Sequence, residues 1–208
     1  VQGGKPHALN AGDRAAGPAK GPRAYLDADI LCDPDLFAQL RQALAGDAPC
    51  YATGTLCLQR AQSAITRAYG RFWMLTPFVQ SGAVGAGFYA VNPVGRARWA
   101  EYPGIIADDT YARLHFSPEE RVEVPAAYHW PLVEGLAALV KVRRRQDQGM
   151  RELAALYPHL IAREGKARPS PLGWLGRVLR RPVGFLVYSS VAVLVRLRRG
   201  EGAFTRGR

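Results

Sequence analysis

The sequence predicts an α/β domain with a basic C-terminal appendage, and three observations lead to this prediction. Apolar runs typical of strands alternate with helical patterns over residues 1–156. The composition, 48% hydrophobic and 22% charged, excludes a wholly disordered, collagenous or coiled-coil chain. The charge is uneven, because residues 141–208 hold 16 basic and 4 acidic residues, whereas residues 1–140 hold 12 and 13. We therefore expect one domain over 1–156 and a separate basic appendage over 157–208.

Five elements are expected in the first 80 residues. They are a helix over 5–16, a strand over 23–26, a helix over about 33–45, a strand over 50–58 and a helix over about 61–78. Pro6 stands near the first helix start and Gly17-Pro18 ends that helix. Asp33 as N-cap, with Pro34 in the first turn, opens the second helix. The two strands are apolar, β-favouring runs.

The following 76 residues or so continue the alternation. In order we expect a glycine-rich loop and strand over 82–92, a short helix near 94–101, a helix after 107, a strand over 121–124 and a helix over about 132–156. The strand over 121–124 is predicted from apolar–polar alternation, and the helix after 107 from its acidic first turn.

The basic appendage contains one apolar stretch, Val183 to Val195. At 13 residues it is too short for a spanning helix, which needs about 20. Flanking arginines favour an interfacial helix on an anionic membrane, and a helix packed on the domain with a solvated basic end is the alternative. Base-stacking and groove-reading motifs are not found, so nucleic acid is not an expected partner.

The three cysteines, Cys32, Cys50 and Cys57, form no Cys-x-x-Cys pair. Their number and spacing indicate neither a disulfide framework nor a zinc site, and a reducing compartment fits best. We expect a cytoplasmic protein that is peripheral on the inner face of the cell membrane.

Two aspartates follow the strand over 23–26. Asp27 and Asp29 are two positions apart, and alternate residues of a strand point to the same side. At the carboxyl end of a strand they would project into the crevice where α/β sheets bind ligands. Their oxygens suit Mg²⁺ or Mn²⁺, which can bridge to a diphosphate. The alternative is a solvated turn.

Three further motifs each have two interpretations. Asp108-Asp109 is either a pair whose repulsion raises one pKa, as a general base needs, or acidic residues that favour a helix dipole. Arg143-Arg144-Arg145 is either a phosphate site or a basic face that is solvated or that meets nucleic acid or a membrane. The glycines over 82–87 allow either close backbone approach to a substrate or a plain flexible turn.

The order of these motifs over residues 3–155 resembles glycosyltransferase family 2, the inverting enzymes of the GT-A fold. The matching segments are Gly4-Lys5-Pro6-His7-Ala8-Leu9-Asn10-Ala11-Gly12, Tyr25-Leu26-Asp27-Ala28-Asp29, Gly85-Ala86-Gly87-Phe88, Ala107-Asp108-Asp109 and Arg143-Arg144-Arg145-Gln146-Asp147-Gln148-Gly149. The resemblance implies a GT-A-like (Rossmann-like) mixed sheet flanked by helices. It also implies a metal-assisted enzyme that transfers a sugar from a nucleotide-diphosphate donor to a carbohydrate or lipid-linked acceptor hydroxyl, with inversion.

The resemblance also assigns residue roles. Those implied are Asp109 as catalytic base, Asp27 and Asp29 as ligands of the donor and of Mg²⁺ or Mn²⁺, Lys5 near the nucleotide, and Arg143 and Arg145 near the diphosphate.

The chain departs from the family pattern in two places. Family members have a nucleotide-binding strand and helix upstream of the lysine segment, whereas nothing precedes Val1, so we expect an N-terminally truncated domain. The glutamine and tryptophan of the processive members' Gln-x-x-Arg-Trp motif are also missing, which favours addition of a single sugar. The alternative function is a catalytically incomplete transferase-like domain that acts as an interaction protein on a membrane surface.

Overall fold

The computed structural model describes residues 4–165 and 170–197. The helices in chain order are α1 (Gly4–Ala16), α2 (Leu36–Ala43), α3 (Ala64–Trp73), α4 (Pro77–Gln80), α5 (Pro93–Arg96), α6 (Asp108–Arg113), α7 (Leu136–Leu156), α8 (Pro158–Ile161), α9 (Pro171–Arg180) and α10 (Pro182–Leu197). The strands are β1 (Arg23–Leu26), β2 (Leu31–Cys32), β3 (Tyr51–Leu58), β4 (Phe88–Val91) and β5 (Arg121–Trp130). The α/β class predicted from the sequence is confirmed.

The five strands form one mixed sheet in the order β1-β4-β3-β5-β2. The central pair, β3 and β5, is parallel and runs from Tyr51↔Arg121 to Leu58↔Trp130. The other three pairings are antiparallel. Because β1 pairs with β4 along its whole length, the residues that follow β1 lie beside those that precede β4.

Strand alternation divides the hydrophobic core between the two faces of the sheet. Tyr51 and Tyr89 stack on one face, with ring centroids 5.3 Å apart, in a cluster that includes side chains of α6 to α8. The neighbouring residues, Ala52 and Phe88, point to the other face and join the α2 side chains. Both faces of the sheet are thus covered.

Most expected elements are confirmed, and three differ from the expectation. The helix over 61–78 is interrupted, since Thr76 is an extended N-cap and Pro77 begins the separate helix α4. The strand over 121–124 continues to Trp130 because β3 pairs with it throughout. The short strand β2 was not expected.

The predicted N-cap of α2 is wrong. Asp35, rather than Asp33, occupies that position. The Asp33 carboxylate instead accepts hydrogen bonds from the backbone N–H of Ala127 and from His129 Nε2, both at 3.0 Å. Asp33 therefore holds the start of α2 against β5.

The segment after residue 156 packs against the domain. Leu160 of α8 is buried in the cluster beneath β3 and β4, and Glu164 pairs with the buried Arg113 of α6. Helix α10 lies on α3 and α7 through Val191 and Val195. Its Gly184 fits closely, since a Cβ there would lie 2.7 Å from the carbonyl oxygen of Ala68.

Candidate functional site

A small cleft with a volume of about 10 Å³ lies where β1 ends and α6 begins, and four charged side chains of the described residues line it. Among residues 4–165 and 170–197, the lining residues are Lys5, Leu9, Tyr25, Leu26, Asp27, Gly87, Tyr89, Asp108 and Asp109. We call this the acidic cleft. The fold thus brings together carboxylates that are about eighty positions apart in the sequence.

Lys5 bridges two of these carboxylates. Its Nζ lies 2.8 Å from Asp27 Oδ1 and 3.0 Å from Asp108 Oδ2. The contact with Asp108 is an ion pair by distance, without the alignment of a hydrogen bond. Burial favours the neutral amine, but the surrounding carboxylates outweigh burial and raise the pKa of Lys5 above its ordinary value. Lys5 therefore stays charged and partly neutralises the acidic cleft.

Two polar side chains on later turns of α1 fix the position of the helix and therefore of Lys5. The Asn10 side chain donates to the carbonyl oxygen of Tyr102 at 2.9 Å and accepts from the N–H of the same residue at 2.7 Å. Three residues later, Asp13 pairs with Arg23 of β1 at 2.6 Å and with Arg96 of α5 at 2.7 Å. These contacts fix α1 across the end of the sheet, so that its first turn points its lysine into the acidic cleft.

Asp27 is held at the end of β1 by the glycine-rich loop. Its backbone N–H donates to the carbonyl oxygen of Gly87 at 2.8 Å. Gly87 has a φ of +70°, and a Cβ there would lie 3.1 Å from Asp27 Oδ2. Glycine at this position therefore leaves room for the Asp27 carboxylate, and the carboxylate stays one-third exposed.

Asp108 and Asp109 begin α6 but have different environments. Asp108 is 4% exposed, and burial, followed by the charge of Asp109, raises its pKa to about 6. Asp109 is partly exposed, and its Oδ1 accepts from the N–H of Thr110 at 2.6 Å. Asp108 is thus the buried partner of Lys5, and Asp109 is the more accessible carboxylate of the two.

Helix α7 supports the loop that leads into α6. Glu152 accepts a hydrogen bond from the N–H of Ile106 at 3.1 Å. Gly149 lies against the same loop, since a Cβ there would be 3.0 Å from Ile106 Cβ and 3.1 Å from the N of Ala107. The position of the two aspartates therefore depends on close packing by α7.

Of the six residues predicted for the site, three line the acidic cleft: Lys5, Asp27 and Asp109. Asp29 is exposed beyond the end of β1 and is not part of the lining. Arg145 is exposed on α7, one turn before Gly149 and on the same helix face.

Arg143 is engaged away from the cleft lining. Its Nε donates to Asp147 at 2.9 Å and one terminal nitrogen donates to the Tyr188 hydroxyl of α10 at 3.2 Å. Its guanidinium also lies over the Tyr188 ring. These contacts join α7 to α10.

Carboxylate oxygens are hard ligands of the kind that Mg²⁺ prefers in proteins. Within residues 4–165 and 170–197, no group of three or more His, Cys, Asp or Glu side chains is arranged to hold a metal ion. Mg²⁺ in proteins is commonly held by one or two carboxylates, with substrate phosphates and water completing the shell. The carboxylate chemistry of Asp27 and Asp29 fits binding of Mg²⁺ by one or two carboxylates, and Lys5 lies beside Asp27 as a resident cation.

Sequence reasoning did not find the contacts that orient the site. Asp13 was not singled out, although it lies three residues after Asn10 on the same face of α1. Glu152 was also not singled out, although it is three residues after Gly149 on α7. Helical spacing was the available signal in both cases, but the partners come from distant segments.

Comparison with protein-family models and with curated protein sequences identifies no relative. No protein-family model matches the chain, and no curated protein sequence matches it. Functional inference therefore depends on the motifs and on the geometry of the acidic cleft.

Proposed function

We propose that the chain is a GT-A-type glycosyltransferase domain of family 2 that transfers one sugar from a nucleotide-diphosphate donor to an acceptor hydroxyl with inversion. The observation that carries the proposal is the shared cleft of Asp27 and Asp109. The two come from separate motifs, and in the family one belongs to the donor site and the other is the base. Their meeting in one cleft supports these roles.

Asp109 is the proposed base because it is the accessible member of the pair at the start of α6. As the acceptor oxygen bonds to the anomeric carbon, the bond from that carbon to the diphosphate oxygen breaks. The acceptor proton passes to the Asp109 carboxylate, and the nucleoside diphosphate leaves with the bonding electrons. Attack opposite the leaving group inverts the anomeric configuration.

Lys5 and Asp108 set the charge around this step. The ammonium group offsets the carboxylates of the acidic cleft and would favour approach of an anionic donor. Asp108 is buried and ion-paired, so its role is to hold Lys5 rather than to meet the acceptor.

Asp27 and Asp29 are the residues that would hold Mg²⁺ or Mn²⁺. Such an ion would stabilise negative charge on the leaving diphosphate. Arg145 is proposed to supply further positive charge from α7, since its helix face borders the loop before Asp108. Arg143 would contact the donor only after releasing its hydrogen bonds to Asp147 and Tyr188.

Donor binding tests the proposal directly. The 208-residue protein would be screened against nucleotide-sugars in Mn²⁺, following the thermal unfolding midpoint, which a ligand of the folded state raises. We expect a rise with at least one donor and its loss in Asp27→Asn. Asp47→Asn, a change at an exposed loop aspartate, is the matched control and should keep the rise.

Sugar transfer from the identified donor tests the base. Asp109→Asn should lower the rate by about 100-fold or more while donor binding is retained, because the amide cannot accept the proton. Asp47→Asn should retain the full rate. Binding without any dependence on Asp27, or transfer that survives Asp109→Asn, would contradict the mechanism.

The alternative function remains an interaction protein with an incomplete transferase-like domain. It predicts no thermal shift with any nucleotide-sugar.

A further inference from the structure

The two C-terminal helices carry exposed apolar stripes. On α9, Leu172, Leu175 and Leu179 lie on one face by their spacing and are 80%, 53% and 72% exposed. On α10 the exposed apolar residues are Val183, Leu186, Val193 and Leu197. We call these seven residues the C-terminal apolar surface.

This surface is not the packing face of either helix. Helix α10 already contacts α3 and α7 through its opposite side, where Val191 and Val195 are buried. Helix α9 is held by Trp174, whose ring lies parallel to that of the fully buried Phe72 with centroids 6.1 Å apart. The exposed stripes are therefore additional to the contacts that the fold requires.

The positive charge around the C-terminal apolar surface indicates what kind of partner it contacts. Residues 170–197 contain four arginines and no acidic residue: Arg177, Arg180, Arg181 and Arg196. Exposed leucines beside arginines match an anionic bilayer, in which acyl chains receive the leucines and headgroup phosphates receive the guanidinium groups. A second copy of the same surface would bring like charges together, so charge complementarity favours lipid over self-association.

Helices α9 and α10 suit a position at the membrane–water interface rather than a path across the bilayer. Among the described residues, no single helix is long and apolar enough to span a bilayer. α9 and α10 pass that test only as a pair bent by 113°. Since one side of α10 is covered by the domain, a crossing would require that packing to be lost.

We propose that the C-terminal apolar surface docks the protein on an anionic lipid bilayer, with α9 and α10 lying in the interface. The docking does not depend on catalysis. It would hold the acidic cleft at a fixed height above the membrane, because α10 packs on α7 and α7 supports the loop before Asp108.

Co-sedimentation of the full 208-residue protein with vesicles tests this. Vesicles of phosphatidylcholine with 30% phosphatidylglycerol should bind the protein, binding should fall as salt rises, and pure phosphatidylcholine should bind it at least about tenfold more weakly. An alkaline carbonate wash should release it, as for a peripheral protein.

Two paired substitutions separate the apolar and the charge contributions. Leu175→Gln with Leu179→Gln should weaken binding at least about tenfold, because these side chains would enter the acyl region. Arg180→Gln with Arg181→Gln should weaken binding similarly and reduce its salt dependence. The matched control is Leu31→Gln on β2, an equally exposed leucine at 62%, which should bind as the unmodified protein does.

Each other result overturns the proposal. The first such result is equal binding of the protein to neutral and anionic vesicles. The second is a leucine double variant that binds vesicles as the unmodified protein does and has the same melting curve. The third is protein that stays on the vesicles through the carbonate wash. A dimer in gel filtration that the leucine substitutions abolish, without vesicle binding, would make a second copy the occupant. No donor is present in these assays, so their failure would leave the transferase proposal standing.

Discussion

Asp108 is the residue at which pH should act most directly on this protein. Its pKa of about 6 in the folded state lies above the ordinary value of 3.8. Between these values the folded protein binds more protons than the unfolded chain, so the free energy of unfolding falls as pH rises through the window. The effect is largely complete above pH 6, where the carboxyl is ionised in both states.

Asp108→Asn should remove this pH dependence. The free energy of unfolding of the variant, minus that of the unmodified protein, should be about 2–3 kcal/mol larger at pH 7 than at pH 4, at about 1.4 kcal/mol per pKa unit. Urea unfolding at both pH values measures it, with Asp47→Asn as the control that should track the unmodified protein. Parallel stability curves for Asp108→Asn and the unmodified protein would show that burial does not raise this pKa.

At the residue scale, the sequence indicated which residues lie at the cleft better than it indicated their contacts. Asp27 and Asp109 were predicted as site residues, and both line the acidic cleft. The bridging position of Lys5 was not predictable, because it depends on where α1 crosses the sheet. Arg143 illustrates the same difficulty, since an arginine triplet looks alike whether it binds phosphate or a tyrosine of a later helix.

Helix α7 determines how α6 presents its aspartates, and its glycine is the sensitive point. Gly149→Ala should destabilise the protein by about 1–3 kcal/mol, although alanine is the better helix former. The added methyl group would press on a Cβ and a backbone nitrogen, neither of which can swing away. Chemical unfolding measures the change.

Gly12→Ala on α1 is the matched control. A Cβ at that position meets nothing within 4 Å, so only the helix propensity changes. We expect stabilisation by about 0.5–1 kcal/mol. If both substitutions stabilise the protein equally, the close packing of α7 on the loop is refuted.

At the element scale, turn chemistry made most boundaries predictable. Proline and glycine mark the limits of α1, and strand patterns located β1, β3 and β4. The failures were those in which distant contacts decide. Strand β2 has only two residues, which are too few to show an alternating pattern. Asp33 does not cap α2 because its carboxylate accepts a hydrogen bond from β5, almost a hundred positions later.

At the scale of the whole molecule, Glu164 in the segment after residue 156 pairs with a buried residue of the domain. Arg113 is 2% exposed, and its main charge partner is Glu164 at 2.6 Å. Glu164→Gln should cost about 3 kcal/mol in the free energy of unfolding, because it leaves a buried guanidinium without its countercharge.

Glu101→Gln provides the comparison, since Glu101 pairs with Arg14 at the surface. Both of those side chains are more than half exposed, and the loss should stay below about 1 kcal/mol. Equal losses in the two variants, measured by urea unfolding, would mean that the Arg113 contact is as weak as a surface pair.

The order of the strands also has a consequence for how the chain reaches this structure. The central parallel pair, β3 and β5, encloses everything from α3 to α6, so a long loop must close before the middle of the sheet exists. Local hairpins cannot nucleate such a pairing, and folding speed falls as contacts become more distant in sequence. Refolding should therefore be slow, with helices forming early and the sheet assembling late.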